Sequence, residues 1–475
     1  MLVTIRSDLP AARWKTLPRG AWLRAESLRR KCRAGAVLSA RLNSPAHGLV
    51  IVGLLREKAT PFEALQLAGR MLKEARGGQP RRIALAALGL ESGAARRALE
   101  ALLAASLSAA FDLPSFKSGG SDPVMLSEIT LFDPDRHDFA VTAATSEGNN
   151  LARWLTALPG NQLTPASYRE RVAALARREG WRVRFFDRRQ LERRGAGAFL
   201  AVTLGTEDAD AGIMHVQYRG ADRSSQPRLA LIGKGICFDT GGTNLKTHKS
   251  MLDMHIDMGG SAVALGTLLA LARLKVPYRI DCWLAIAENR IGPKAYKPQD
   301  VVTASNGTSI QVIHTDAEGR MVLADTLVFA AREQPTLMLD FATLTGACVN
   351  ALTERYSGVF TNRAEWRDNL ERAGTASGER VWCFPMDEDF DADLESANAD
   401  IMQCLADGKG DHIYAARFLN RFVPSSIPWA HVDLAAAQRS GGLAHVGTDI
   451  TGFGVRYAVN LLTEQQLIEQ AQRER

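Results

Sequence analysis

What this 475-residue sequence lacks already narrows what it can be. Its six cysteines, Cys32, Cys237, Cys282, Cys348, Cys383 and Cys404, lie far apart and form no CxxC pair. That spacing excludes a cysteine zinc site, a disulfide framework is not expected in so large a core-rich chain, and reduced, mostly buried thiols are expected. The nine histidines show no ligand spacing, and HExxH is absent. So are the GxxxxGK phosphate loop and the GxSxG nucleophile elbow. There is no internal repeat and no low-complexity tract. The chain does not open on a charged stretch followed by an apolar one, so no signal peptide is expected. The longest apolar run, Gly260–Ala272, is short for a bilayer and stops at Arg273. A soluble, cytoplasmic protein with no membrane segment is the expectation.

Hydrophobic residues make up 46% of the chain and charged residues only 23%, a globular balance. The length favours two domains over one core. The net charge of +6 is uneven: residues 1–150 hold 21 Lys and Arg against 14 Asp and Glu, and the remainder nets −1. Clusters such as Arg29–Arg33 read as a solvated basic surface. Contact with nucleic acid through this N-terminal third stays open, although no aromatic-interleaved basic motif supports it.

Strand-like and helix-like stretches alternate twice. "GLVIVGLL", "PFEALQLAGRMLKEARGG", "RIALAAL" and "GAARRALEALLAASLSAAFD" suggest a small α/β domain over 1–137. A Gly/Pro/Ser-rich loop, Pro114–Met125, lies within it. Residues 138–165 read as a helical linker ending at Pro159 and Pro165. Residues 166–475 read as a larger α/β domain with a mostly parallel central sheet flanked by helices.

Two polar islands stand out in the larger domain. The first is "HTDAEGR", His314–Arg320, between the strand-like "TSIQVI" and a helix beginning near Arg320. If the chain stays extended there, Asp316, Glu318 and Arg320 share a face. Ala317 and Gly319 leave room for something to approach the backbone. A solvated turn with a charge pair explains this stretch taken alone. The second island, Gly233–Gly260, carries Lys234 at a strand end, Asp239, Lys246 in a Gly-flanked loop, and Asp257 before Gly-Gly and a helix. Strand ends in open α/β sheets are where ligands bind. Together the islands offer four carboxylates that need a counter-charge if they meet, and two divalent cations would supply it.

"HTDAEGR" differs at one residue from "NTDAEGR", the signature of the leucyl aminopeptidase (cytosol aminopeptidase) family. "GKGICFDTGG…LK…DMGG" resembles that family's metal-binding stretch with its spacing kept. "LPGNQLTP", "AYKPQDVV", "FATLTGACV", "PWAHVDLA" and "GFGVR" follow the family too, so the resemblance runs from about Asn150 to Leu462. It implies a metal-dependent aminopeptidase that releases N-terminal, leucine-like apolar residues from peptides through a hydroxide bridging two metals. It implies Lys234 and Asp257 at the tighter metal, and Asp316 at the looser one through its side chain and main-chain carbonyl. Asp239 and Glu318 would bridge the two. Lys246 would stabilise the oxyanion, and Arg320 would hold a bicarbonate serving as general base. Zn²⁺ or Mn²⁺ would be the metal, and a homohexamer the assembly. Met254, Thr343, Leu344, Gly346, Ala435 and Gln438 fall where the family lines its first side-chain pocket.

The sequence departs from the family at His314, in the segment carrying Asp411, His412 and Tyr414, and in "DLAAAQ", Asp433–Gln438. None of these removes an expected ligand, and each bears on side-chain preference. Two rival readings remain: a nucleic-acid-binding or scaffold protein retaining the fold, and a dimetal hydrolase of non-peptide substrates.

Overall fold

The computed structural model describes residues 1–42, 48–119, 126–208, 210–220 and 227–473. Part of the loop expected at Pro114–Met125 therefore lies outside the described residues. Sixteen strands occur among them: β1 Leu2–Arg6, β2 Val37–Arg41, β3 Leu49–Leu55, β4 Arg82–Leu88, β5 Glu128–Phe132, β6 Arg182–Phe186, β7 Gly212–Tyr218, β8 Arg228–Asp239, β9 Arg279–Asn289, β10 Val301–Thr303, β11 Ser309–Gln311, β12 Leu337–Ala342, β13 Ser357–Thr361, β14 Val381–Cys383, β15 Ile401–Met402 and β16 Trp429–Asp433. The described chain divides into two compact units. One holds Met1–Ser146 with the returning segments Thr375–Glu379 and Arg439–Thr451, and the other holds the rest.

The smaller unit is built on a five-stranded sheet in the order β2-β3-β1-β4-β5, parallel except for β2. Alternation along its strands feeds two apolar clusters: Leu2, Ile51 and Leu85 enter one, and Val3, Val50 and Val52 the other. The helix Pro61–Arg76 starts cleanly because Thr60 and Glu63 form a reciprocal capping box and Pro61 occupies the first turn.

The larger unit has an eight-stranded mixed sheet, β14-β13-β16-β12-β8-β9-β7-β6, with a parallel centre and antiparallel pairs toward its edges. The central β8 is buried almost throughout, as expected of a strand covered on both faces. A Cβ on Gly233 would lie 2.4 Å from Cα of Ser261, in the helix Gly259–Arg273. The next residue, Lys234, turns to the other face, where Gly319 opens the helix Glu318–Ala331. Near its end β8 carries a bulge. Ile236 pairs with Ala287 and Asp239 with Asn289, so two residues of β8 oppose one of β9.

The apolar run Gly260–Ala272 lies within a longer helical stretch. The helical stretch Met254–Arg273 spans 20 residues and is apolar enough to cross a membrane by composition. Its burial against β8, β9 and β12, not its length, makes it a core element.

Candidate dimetal active site

Five expected ligands come together at the end of β8, in a cavity of about 630 Å³ within the larger unit. Lys234, Asp239, Asp257 and Glu318 are buried to 5% exposure or less, and Asp316 is half-buried. The Lys234 ammonium lies 2.8 Å from Asp257 and 2.8 Å from Glu318, and donates to the Thr343 carbonyl at 2.9 Å. Lys246 lies 2.9 Å from Asp239 and 2.5 Å from Asp316. Carboxylate oxygens of Asp239, Asp316 and Glu318 approach within 4.8 Å of one another. Asp257 joins them across Lys234.

Local structure explains the convergence. In a regular strand Lys234 and Asp239, five residues apart, would face opposite sides of the sheet. The bulge between Ile236 and Asp239 resets that parity and brings both to one site. Asp257 sits on a short 3₁₀ turn, Met254–Met258, fixed by Thr343, whose hydroxyl donates to its carboxylate at 2.8 Å.

The signature stretch is not extended, a point the sequence leaves open. Residues 314–317 form a turn, and Glu318 and Arg320 already belong to the helix. Glu318 thus stands in the first helical turn. Gly319 has a concrete reason to be small: a Cβ there would lie 2.7 Å from Cε and 2.8 Å from Nζ of Lys234. Gly319→Ala should therefore push the ammonium off Asp257 and Glu318. The overpacking should cost about 1–3 kcal/mol. A melting curve and a metal assay on the purified variant would check both, and unchanged values in both would refute the account.

Electrostatics dominate this site. Burial works against the Lys234 ammonium, but Asp257, Glu318 and Asp239 outweigh it and hold its pKa above the ordinary lysine range. Lys246 is raised for the same reason by Asp239, Glu318 and Asp316. Burial pushes the Asp257 carboxyl well up, with Glu318 and Asp239 adding to it and Lys234 opposing. Asp239 and Asp316 are also raised, mainly by burial. Four carboxylates against two lysines leave a formal net −2 in a largely buried cluster. Hard divalent cations fit this oxygen-rich donor set.

Sequence reading missed the scaffold of the site. Asn289, at the end of β9, donates to Asp239 at 2.8 Å and to the Thr315 carbonyl at 3.0 Å. Gln403 accepts from the backbone of Ile313 and His314, and donates to the Ala317 carbonyl at 2.9 Å, so it fixes the turn. Thr315 ties that turn to the Lys246 loop through the Gly241 carbonyl at 2.7 Å. Each is polar beside a buried run, a weak signal that alone did not single them out. His314 lines the cavity, and its Nδ1 accepts from the Asp316 N–H at 3.3 Å.

Arg320, 1% exposed, also lines the cavity; its two terminal nitrogens are engaged, while its buried Nε has no hydrogen-bond partner. One terminal nitrogen donates to the Gln403 carbonyl at 3.1 Å. The other donates to both carboxylate oxygens of Asp411, at 2.8 and 2.7 Å. Burial opposes the charge, yet Asp411, with Cys404 and Glu318, more than offsets it and the guanidinium pKa is raised. The bicarbonate expected at Arg320 thus meets a carboxylate in place. Of the three departures in that segment, only Asp411 lines the cavity. The His412 ring meets Phe384 edge-on, and Tyr414 donates to Asp393 at 2.6 Å. Met254, Thr343, Leu344, Gly346, Ala435 and Gln438 all line the cavity.

Comparison with known proteins shows the family of the chain. The profile of the cytosol aminopeptidase family, catalytic domain, matches residues 150–459. A probable cytosol aminopeptidase of Synechococcus sp. (strain JA-3-3Ab) is 37% identical over 90% of this chain and 86% of its own. Another, of Syntrophotalea carbinolica, is 36% identical over 98% of this chain and 88% of its own. Among solved structures, the bottromycin maturation enzyme BotP in complex with Mn superposes with a TM-score of 0.85 at 30% identity, covering 98% of this chain and 99% of that one. A tomato leucine aminopeptidase mutant gives 0.85 at 27% identity, over 98% and 93%.

Proposed function

Because the chain belongs to the cytosol aminopeptidase family of metal-dependent exopeptidases, we propose that it removes N-terminal residues from peptides, apolar ones among them, at the cavity beside β8. The observation that carries this reading is the buried cluster of Lys234, Asp239, Asp257, Asp316 and Glu318, opening into the same cavity as a partly apolar wall. Lys234, as the neutral amine once an ion displaces its proton, and Asp257 would hold one divalent ion, Asp316 the other, and Asp239 and Glu318 both. When bound, such ions acidify water and polarise a carbonyl. Lys246 keeps its proton and donates to the oxygen that gains charge as the carbonyl is attacked. Met254 and Ala435 give the side-chain pocket its apolar surface, and Thr343 and Gly346 leave it open. Arg320 fixes an anion beside the cluster: the resemblance implies bicarbonate there, and the chain itself supplies Asp411.

Residues 166–475 would carry catalysis and 1–137 an assembly or partner role, with 138–165 linking them. A homohexamer, a cytoplasmic location, and Zn²⁺ or Mn²⁺ as the native metal complete the reading. Hydrolysis of a panel of aminoacyl chromogenic amides, with and without Mn²⁺ or Zn²⁺, tests it. No turnover of any amide would favour a non-peptide dimetal hydrolase or a scaffold.

Gln438 sets an amide in a half-buried part of the wall. A polar group left unmatched there disfavours a purely apolar side chain. Leucine and methionine amides should be accepted, with preference shifted toward side chains carrying a polar atom. Gln438→Met should move the leucine-to-arginine ratio of kcat/KM toward leucine by roughly 3- to 10-fold. An unchanged ratio would place Gln438 outside the pocket.

A further inference from the structure

Arg320 is a fixed cation sealed from solvent, and what neutralises it decides what chemistry stands next to it. Asp411 is the first residue of the helix Asp411–Asn420, entered through Gly410 at φ 61°. Its side chain is 24% exposed against 1% for Arg320, so the carboxylate lies between the buried cation and the open cavity. Both its oxygens sit on one guanidinium nitrogen. A second anion on that nitrogen would have to displace Asp411 or crowd against a like charge.

The cavity wall holds three further carboxylates outside the ligand cluster, Asp433, Asp407 and Glu354. Asp433, 1% exposed, accepts from the Thr345 hydroxyl at 2.7 Å and from the backbone N–H groups of Leu344 and Thr345. Asp407 pairs with Lys409 at 3.0 Å. Glu354 is exposed on a short 3₁₀ turn. Of these wall carboxylates, only Asp411 is held by a buried guanidinium.

We propose that Asp411 is the built-in anion of Arg320, replacing a bound bicarbonate as the general base of the hydrolysis. The proposal rests on the aminopeptidase reading above. The Asp411 carboxylate takes one proton from the attacking water as the carbon–oxygen bond forms. It returns that proton to the leaving nitrogen as the carbon–nitrogen bond breaks. One peptide bond and one water become one carboxylic acid and one amine, and the base ends unchanged. Arg320 orients the carboxylate throughout.

The test uses the metal-loaded full chain in carbonate-free buffer, assayed with a leucine amide. Added bicarbonate should change wild-type turnover by less than about twofold. Asp411→Ala should lose about 10²- to 10⁴-fold, the range for removing a general base. Bicarbonate or formate should restore part of that loss, with metal content unchanged by elemental analysis. Binding is read independently by the line width of ¹³C-bicarbonate: no site in the wild type, and one in Asp411→Ala that disappears when Arg320 is also changed to Ala. Bicarbonate-dependent turnover of the wild type, or bicarbonate binding to it that Arg320→Ala removes, would overturn the proposal. So would an Asp411→Ala variant that keeps its metals and full activity without carbonate. If Asp411→Ala does not fold, the two wild-type measurements still decide. If the wild type cleaves no amide at all, the functional reading has failed, and the wild-type binding result still judges the anion assignment.

Discussion

Chelation should bring turnover of a leucine amide to background, and added Mn²⁺ or Zn²⁺ should return it. The expectation comes from charge alone. Asp239, Asp257 and Glu318 are buried to 5% exposure or less, with Asp316 beside them, and Lys234 and Lys246 neutralise only part of the cluster. Carboxylates this close repel one another and cannot all ionise without further cations. The resting enzyme should carry about two metal ions per chain, as paired-metal hydrolases do. Elemental analysis beside the assay decides the matter: full turnover in protein free of metal would end the mechanism.

The second large effect separates the two lysines. Lys234 is wedged between Asp257 and Glu318, with the Thr343 carbonyl as a third partner. Lys234→Ala should lower metal content and activity together. Lys246 touches Asp239 and Asp316 from a Gly-flanked loop and keeps 13% exposure toward the cavity. Removing it leaves the carboxylates more negative, so metals should be retained. Turnover should nevertheless fall by about 10²- to 10³-fold, the usual cost of losing one oxyanion donor. Equal loss of metal in both variants would contradict this division of labour.

Much of the site was legible because its chemistry demands unusual residues in unusual places. Charged side chains next to glycines at strand ends make poor core, so "GKGICFDTGG" and "HTDAEGR" announced themselves. The architecture was legible from alternation of apolar strands and helices, and the mixed sheet with a parallel centre matches that reading. What escaped depended on contacts distant in sequence. Gln403 reaches a turn about ninety residues away, and Asn289 holds Asp239 and Thr315 from another strand. Local pattern carries no trace of such pairings. Asp411 was visible as a departure, yet only its contact with Arg320 gives it a meaning. The sequence places the signature between a strand and a helix and leaves open whether it stays extended; the helix starts at Glu318 and takes two of its charges.

The bulge in β8 bears on which changes the molecule can accept. It inserts one residue between Ile236 and Asp239 relative to β9, and that residue alone sets which way Asp239 looks. Substitutions at Cys237 or Phe238 leave the count intact, so the ligand keeps its direction whatever side chain stands there. Deleting one residue instead would let the strand run straight, with the core still apolar and Asp239 delivered to the wrong face. The protein is therefore tolerant of spelling but not of length at this point. A scan that only exchanges residues would pass over the position on which the geometry of the whole cluster depends.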